Sequence, residues 1–268
     1  MKIYFPQWQG SGTGKSIEYG AKAILEYLND TTIESIPLAI IPAGKNGEQL
    51  YNINNFNAIH EQLGRFKEVL EKSNPSKLQI IGGDCGLEIV PISFLNKKYP
   101  NLGVIWFDAH ADINKPCDSP SCNFHGMPLR TLLGEGEINM NSLLFSNIEA
   151  SQIHYVGLRD IDKKEQERIN NGNIYAPQKL HLFELVQTLK KKNITQLYLH
   201  FDFDCLEPTQ YDKTYYKIPN GLTIKEAENC ITILKSEFDM VGSSVLESIT
   251  VRQKELEPIQ GIIDLLMV

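Results

Sequence analysis

Trp106-Phe107-Asp108-Ala109-His110-Ala111-Asp112 follows directly on an apolar run that begins at Val104. In an extended segment leaving a buried strand, residues two apart point the same way, so Asp108, His110 and Asp112 can converge. A second such segment, His200-Phe201-Asp202-Phe203-Asp204, ends the apolar run that starts at Leu197. Carboxylates crowded this closely repel one another, and a bound cation is the usual compensation in a partly buried site. Hard oxygen ligands with one imidazole suit Mn²⁺, with Fe²⁺, Zn²⁺ or Co²⁺ as substitutes. Helix capping or surface solvation explains one such motif poorly and two together worse.

The elements that must position these residues alternate short β-branched or aromatic runs with longer amphipathic stretches. Strands are expected over Lys2–Phe5, Lys77–Ile81, Gly103–Phe107, Gln152–Val156, Gln196–Phe203 and Met240–Leu246. Helices are expected over Ser16–Leu28, Phe56–Glu71, Leu87–Lys98, Lys163–Asn170, Leu180–Lys192, Ile224–Lys235 and Leu256–Leu266. This alternation predicts βαβ units winding a parallel sheet within one domain spanning residues 1–268. Both acidic motifs then fall at the carboxyl ends of central strands, where open α/β sheets bind ligands. Asn114–Asn123, rich in Pro, Ser, Asp and Cys, reads as a surface loop of the kind that carries recognition. Gly10-Ser11-Gly12-Thr13-Gly14-Lys15-Ser16 matches a phosphate-binding loop only in part, because Gln9 stands where the first glycine of GxxxxGK[ST] belongs. A βα loop at the rim of the site is expected there.

Composition narrows the classes further. The 268 residues carry 26 Lys+Arg against 33 Asp+Glu, a net charge of −7, and 42% are hydrophobic. Disorder and collagen-like repeats are thereby excluded, and no global basic footprint for nucleic acid or an anionic membrane exists. No apolar run approaches the roughly 18 residues that span a bilayer. The start, from Met1 to Trp8, lacks the features of a secretory signal, so a cytoplasmic location is expected. Cys85, Cys117, Cys122, Cys205 and Cys230 lack paired CxxC spacing and are read as reduced thiols.

Four blocks together resemble the arginase/agmatinase/formiminoglutamase (ureohydrolase) family over nearly the whole chain: Gly82-Gly83-Asp84-Cys85, Asp108-Ala109-His110-Ala111-Asp112, Asn123-Phe124-His125-Gly126 and Phe201-Asp202-Phe203-Asp204-Cys205-Leu206-Glu207-Pro208. The resemblance implies an arginase/deacetylase-like, three-layer α/β/α sandwich with a central, mostly parallel sheet. It also implies two Mn²⁺ ions bridged by hydroxide. Asp108 and Asp202 would bridge both ions, His110 and Asp204 would complete one site, and Asp112 would serve the other. Cys85 departs from the family pattern, which has histidine there. A thiol must deprotonate to bind, and thiolate favours Zn²⁺ or Fe²⁺ over Mn²⁺. A weakened second site, a single ion on the His110 side, a different metal, and a buried Cys85 that touches no metal all remain open; we expect a weakened or absent second ion.

His125, Glu247 and Asp112 are the catalytic candidates by this resemblance. Glu247 would grip a guanidinium, and His125 would donate a proton to a departing amine. Asn114, Ser119, Ser121, Asn123 and Asp162 match positions at which arginases hold the α-carboxylate and α-amino groups, which favours an amino-acid substrate. The expected activity is hydrolysis of a small guanidino substrate, arginine or a relative, with release of urea. A hydrolase of Nω-hydroxy-L-arginine with a mononuclear site, and a non-catalytic binding protein, are the alternatives that Cys85 motivates. A homo-oligomer, trimer or hexamer, is what the resemblance implies.

Overall fold

The structure, a computed structural model, describes residues 1–39 and 48–268. Seven strands form its centre: β1 (Lys2–Phe5), β2 (Glu34–Ser35), β3 (Leu78–Gly82), β4 (Gly103–Phe107), β5 (Ile153–Val156), β6 (Gln196–Asp202) and β7 (Asp239–Leu246). They lie in the order β2-β1-β3-β7-β6-β4-β5, and every pairing is parallel. The helices are α1 (Ser16–Leu28), α2 (Phe56–Ser73), α3 (Ile89–Lys98), α4 (Pro128–Leu132), α5 (Ile138–Asn141), α6 (Lys163–Gly172), α7 (Leu182–Lys191), α8 (Ile224–Glu237) and α9 (Gln260–Met267).

Alternate strand residues feed two separate cores, which makes the three layers. Val104 and Trp106 of β4, with Ile80 and Tyr198, pack against apolar residues of α2, α3 and α4. Ile105 and Phe107, with Ile81, Leu199 and Phe201, pack against α1, α7, α8 and α9. Strands buried on both faces need no polar side, hence the nearly continuous apolar runs read in the sequence. Among the described residues, no helix is long and apolar enough to cross a membrane.

Several boundaries differ from expectation for local physical reasons. The strand expected to run through Phe203 ends at Asp202, whose Oδ1 accepts the backbone N–H of Asp204 at 2.7 Å and closes a 3₁₀ turn over Phe203–Cys205. The helix expected over Leu256–Leu266 is a 3₁₀ segment, Gln253–Ile259, followed by α9. Pro258, which lacks an N–H to donate, lies inside the first piece. The helix expected from Leu87 starts as a 3₁₀ turn, Cys85–Glu88, before α3. β2 went unread because its two residues are exposed at the sheet edge and carry no apolar signal.

One close approach ties helix α1 to the site. A Cβ added at Gly20 of α1 would lie 1.7 Å from the carbonyl oxygen of Ser248, the residue after Glu247. Gly20→Ala is therefore expected to cost at least about 2 kcal/mol by overpacking. A thermal unfolding midpoint equal to that of the native protein would contradict this contact.

Candidate metal centre

β3, β7, β6 and β4 are consecutive parallel neighbours, so their carboxyl ends share one edge of the sheet. Cys85 follows β3, Glu247 follows β7, Asp202 ends β6 and Asp108 follows β4. Strand order, rather than sequence proximity, brings these side chains together.

They form three overlapping groups, in each of which the ligand atoms lie within 4.8 Å of one another: Asp108, His110 and Asp204; Cys85, Asp108, Asp112 and His200; and Cys85, Asp202 and Glu247. His110 Nδ1 is 3.0 Å from Asp204 Oδ2 and 3.3 Å from Asp108 Oδ1. The Cys85 thiol is 3.6 Å from Asp202 Oδ2. All six residues expected to hold metal thus lie in the cluster. The extended geometry expected for Asp108–Asp112 does not hold to its end: Asp112 has φ +49°. The chain turns there, so Asp112 joins Cys85 and His200 while His110 faces Asp204. Glu247 likewise has φ +61°. A left-handed backbone at a non-glycine residue costs about 1–2 kcal/mol, least at asparagine; of the eleven such residues among those described, Asp112 and Glu247 are the two acidic ones, and both fall at the cluster.

The electrostatics follow from burial. Desolvation and the neighbouring carboxyls push Asp112 and Asp202 well above the usual carboxylate range. Burial and Asp108 likewise raise Asp204, to about 6. Burial opposes ionisation of Asp108 too, but the His110 and His200 imidazoles outweigh it and hold that carboxyl below its ordinary value. His110 is the converse case: burial disfavours its charge, and Asp108 and Asp204 restore it. Burial, then the charge of Asp112 and Asp202, drives the Cys85 thiol far upward. Two buried atoms of the cluster, Asp112 Oδ2 and His200 Nε2, have no hydrogen-bond partner. Unpaired buried polar atoms are rare in folded proteins, and a divalent cation would satisfy both while relieving the carboxylate repulsion. The residues present fit such an ion.

A pH dependence follows for the metal-free protein. Burial lifts Asp84 to about 7 and Glu165 to about 7. The neighbouring carboxyls raise His110 and His125 against the effect of burial. All four bind protons more tightly when folded, so the stability they confer is full below their unfolded pKa values and is lost as pH rises through the folded ones. His154, pushed down to about 3 by burial and Lys192, acts oppositely only below its ordinary 6.5. The unfolding midpoint of chelated protein should therefore fall between about pH 6 and pH 8. Divalent metal should reduce that fall, because it replaces the protons that the cluster loses. A midpoint that rises over this interval would contradict the assignment.

The remaining expected residues surround the cluster. His125 lies in a 3₁₀ turn, Phe124–Gly126, with Nδ1 3.5 Å from Glu247 Oε1. Glu247 Oε1 also accepts the Cys85 backbone N–H at 3.3 Å. Burial lowers the His125 pKa, but Glu247 reverses this and raises it. Asn114 donates to Asp162 Oδ2 at 2.7 Å, while Asp162 Oδ1 caps α6 through the N–H groups of Lys164 and Glu165. Ser119 Oγ accepts the Cys122 N–H, and Ser121 Oγ accepts the Asn123 N–H. Asn123 Oδ1 accepts a hydrogen bond from Asn54 at 2.8 Å. The glycine-rich loop lies at the rim, as expected: the Gly10 N–H is taken by Asp84 Oδ2, and the Gly10 carbonyl accepts the His125 N–H. The five cysteines are free thiols.

Sequence reasoning gave no role to His200, Glu88 or Tyr216. His200 sits two residues before Asp202, so the same alternation could have found it. The ring of Tyr216 stands 5.1 Å from that of His110 and 5.9 Å from that of His125, and no motif marks it.

A parallel α/β/α sandwich with buried carboxyls and imidazoles along its carboxyl edge defines an α/β protein whose ligand-binding edge is built to hold a divalent cation. Residues 13–251 match the model of the arginase family. The chain is similar to the arginase of Staphylococcus aureus (strain MRSA252), 31% identical over 227 residues that cover 81% of this chain and 74% of that one. It is also similar to the arginase of Entamoeba histolytica, 30% identical over 229 residues covering 79% and 77%. The crystal structure of Entamoeba histolytica arginase in complex with L-ornithine superposes with a TM-score of 0.85 at 25% identity, covering 100% of this chain and 98% of that one. The arginase from Bacillus caldovelox shares the fold, with a TM-score of 0.80 at 23% identity over 100% and 97%. The chain belongs to the arginase family, and it is a hydrolase of the ureohydrolase class.

Proposed function

We propose that this enzyme hydrolyses the guanidinium C–N bond of arginine or an arginine-like amino acid, with release of urea. The pairing of His125 with Glu247 beside the cluster carries the reading. Glu247 presents a buried carboxyl of the shape and charge that a guanidinium seeks. The same carboxyl biases His125 toward its protonated form, so His125 Nδ1 or Nε2 has a proton to give as the amine departs. Asp108 and Asp202 are proposed to be shared by two ions, His110 and Asp204 to complete one site, and Asp112 and Cys85 to serve the other. A divalent ion, Mn²⁺ by the hardness of the oxygen donors, supplies Lewis acidity and makes water acidic enough to react near neutrality.

For the amino-acid end of the substrate we propose Asn114, Ser119, Ser121, Asn123 and Asp162. Asn114 supports this, since its Oδ1 is buried without a partner. The test is urea release from arginine and agmatine, and hydroxyurea release from Nω-hydroxy-L-arginine, at equal concentration with Mn²⁺ under reducing conditions. Arginine is expected to be turned over fastest. Preference for agmatine would remove the α-amino-acid contacts, preference for the hydroxylated substrate would shift the assignment to that hydrolase, and no product from any would overturn the reading.

A further inference from the structure

Residue 85 lacks the imidazole that the ureohydrolase pattern puts there, yet an imidazole reaches the same side of the cluster from a different strand. His200 is completely buried, one of its ring nitrogens lies within 4.8 Å of Cys85 Sγ and of ligand oxygens of Asp108 and Asp112, and Nε2 is the one on the Asp108 side. That nitrogen has no hydrogen-bond partner; its nearest acidic oxygen, Asp108 Oδ2, is 3.7 Å away. The other ring nitrogen, Nδ1, donates to Glu88 Oε1 at 3.0 Å. Glu88 holds a proton at Nδ1, so the neutral tautomer that binding to a cation requires carries its lone pair at Nε2, the nitrogen that faces the cluster. An imidazole that donates one N–H to a carboxyl and offers the other nitrogen is the arrangement found at metal-bound histidines.

The ring is fixed before any ion arrives. Trp106, its register partner on β4, stacks on it with centroids 3.5 Å apart and planes 9° apart, and donates its own Nε1–H to Asp108 Oδ2. Glu88 is held in turn by the hydroxyls of Tyr198 and Ser244. Four buried residues from β4, β6, β7 and the turn after β3 thus orient one nitrogen that has no hydrogen-bond partner.

We propose that His200 Nε2 is a metal ligand on the Cys85 side of the cluster, where with Asp108, Asp112 and the Cys85 sulfur it makes a mixed N, O, S site. The inference rests on the reading that the cluster holds divalent metal. It reverses the expectation drawn from Cys85 alone, that the second ion is weak or absent. It also deepens that reading, because thiolate and imidazole together favour Zn²⁺, Fe²⁺ or Co²⁺ over Mn²⁺ on this side.

Co²⁺ is the probe. Chelated protein titrated with Co²⁺ under reducing conditions should develop a thiolate-to-Co²⁺ charge-transfer band that Cys85→Ser abolishes. In His200→Asn the band should need more than about tenfold more Co²⁺, the lower bound for losing even an outer-shell partner of a metal-bound imidazole. Elemental analysis should still find Co²⁺ on the His110 side. Cys85→His in the His200→Asn background should restore binding on the Cys85 side. On the unmutated protein, ¹⁵N-histidine spectra should show the buried His200 Nδ1–H resonance hyperfine-shifted by Co²⁺, which keeps the test intact should His200→Asn fail to fold. An unchanged band midpoint in a folded His200→Asn protein, or an unshifted His200 resonance while Co²⁺ is bound, would overturn the proposal and leave the metal reading standing. No bound Co²⁺ at all would overturn both.

Discussion

Replacing His110 with alanine is expected to lower guanidine hydrolysis by more than about 100-fold, beyond the range seen for outer-shell partners of metal ligands. His110 Nδ1 lies between Asp108 and Asp204 at 3.3 Å and 3.0 Å, and its ring is what lets two buried carboxyls face each other there. Without it, desolvation favours protonated carboxyls, and protonated carboxyls bind cations poorly. The fold should survive, because the His110 side chain keeps 25% of its surface exposed at the sheet edge and contributes little to either core. Urea release measured with bound metal content separates the two effects. A His110→Ala variant that hydrolyses at the native rate would remove this cluster from the chemistry.

Arg159→Met is expected to have the largest effect on stability among residues outside the cores. The Arg159 guanidinium donates to the carbonyls of Gly157, Asp204, Cys205, Leu206, Ile218 and Pro219, the shortest at 2.7 Å to Asp204 and to Ile218. One cation thereby stitches the end of β5 to the turn that carries Asp204 and to the loop beyond it. Methionine keeps the aliphatic bulk but leaves those carbonyls to water, at a net cost of about 3 kcal/mol on the scale of hydrogen bonds to charged groups. That corresponds to a drop of roughly 6–12 °C in the unfolding midpoint for a chain of this size. Metal affinity should fall in parallel, since the Asp204 backbone keeps the bond from its N–H to Asp202 but loses the anchor on its carbonyl. An unchanged midpoint would show that the Asp204 turn is held by other contacts.

The cores were legible because their signal is local. Val104 to Phe107 is apolar throughout and Leu197 to Phe201 is apolar but for His200, and that pattern is meaningful only for a strand covered on both sides. The acidic strand ends were legible for the same reason, since each motif directly follows its strand. Short pieces were not: β2, α4 and α5 have too few residues for a period to show. Nor was the break at Pro258, where an apolar pattern continued while the backbone could not.

His200 marks the boundary between the two kinds of information. By itself the sequence determined the βαβ alternation, the carboxylates that close two buried strands, and the missing imidazole at Cys85, because each depends on residue types at spacings of one or two along a single segment. Only the tertiary structure decided that the Asp108 segment splits at Asp112 and that His200 faces Cys85. The first depends on a backbone angle that alternation cannot report. The second depends on the order β3-β7-β6-β4, which places residues more than a hundred apart in the chain on one buried edge.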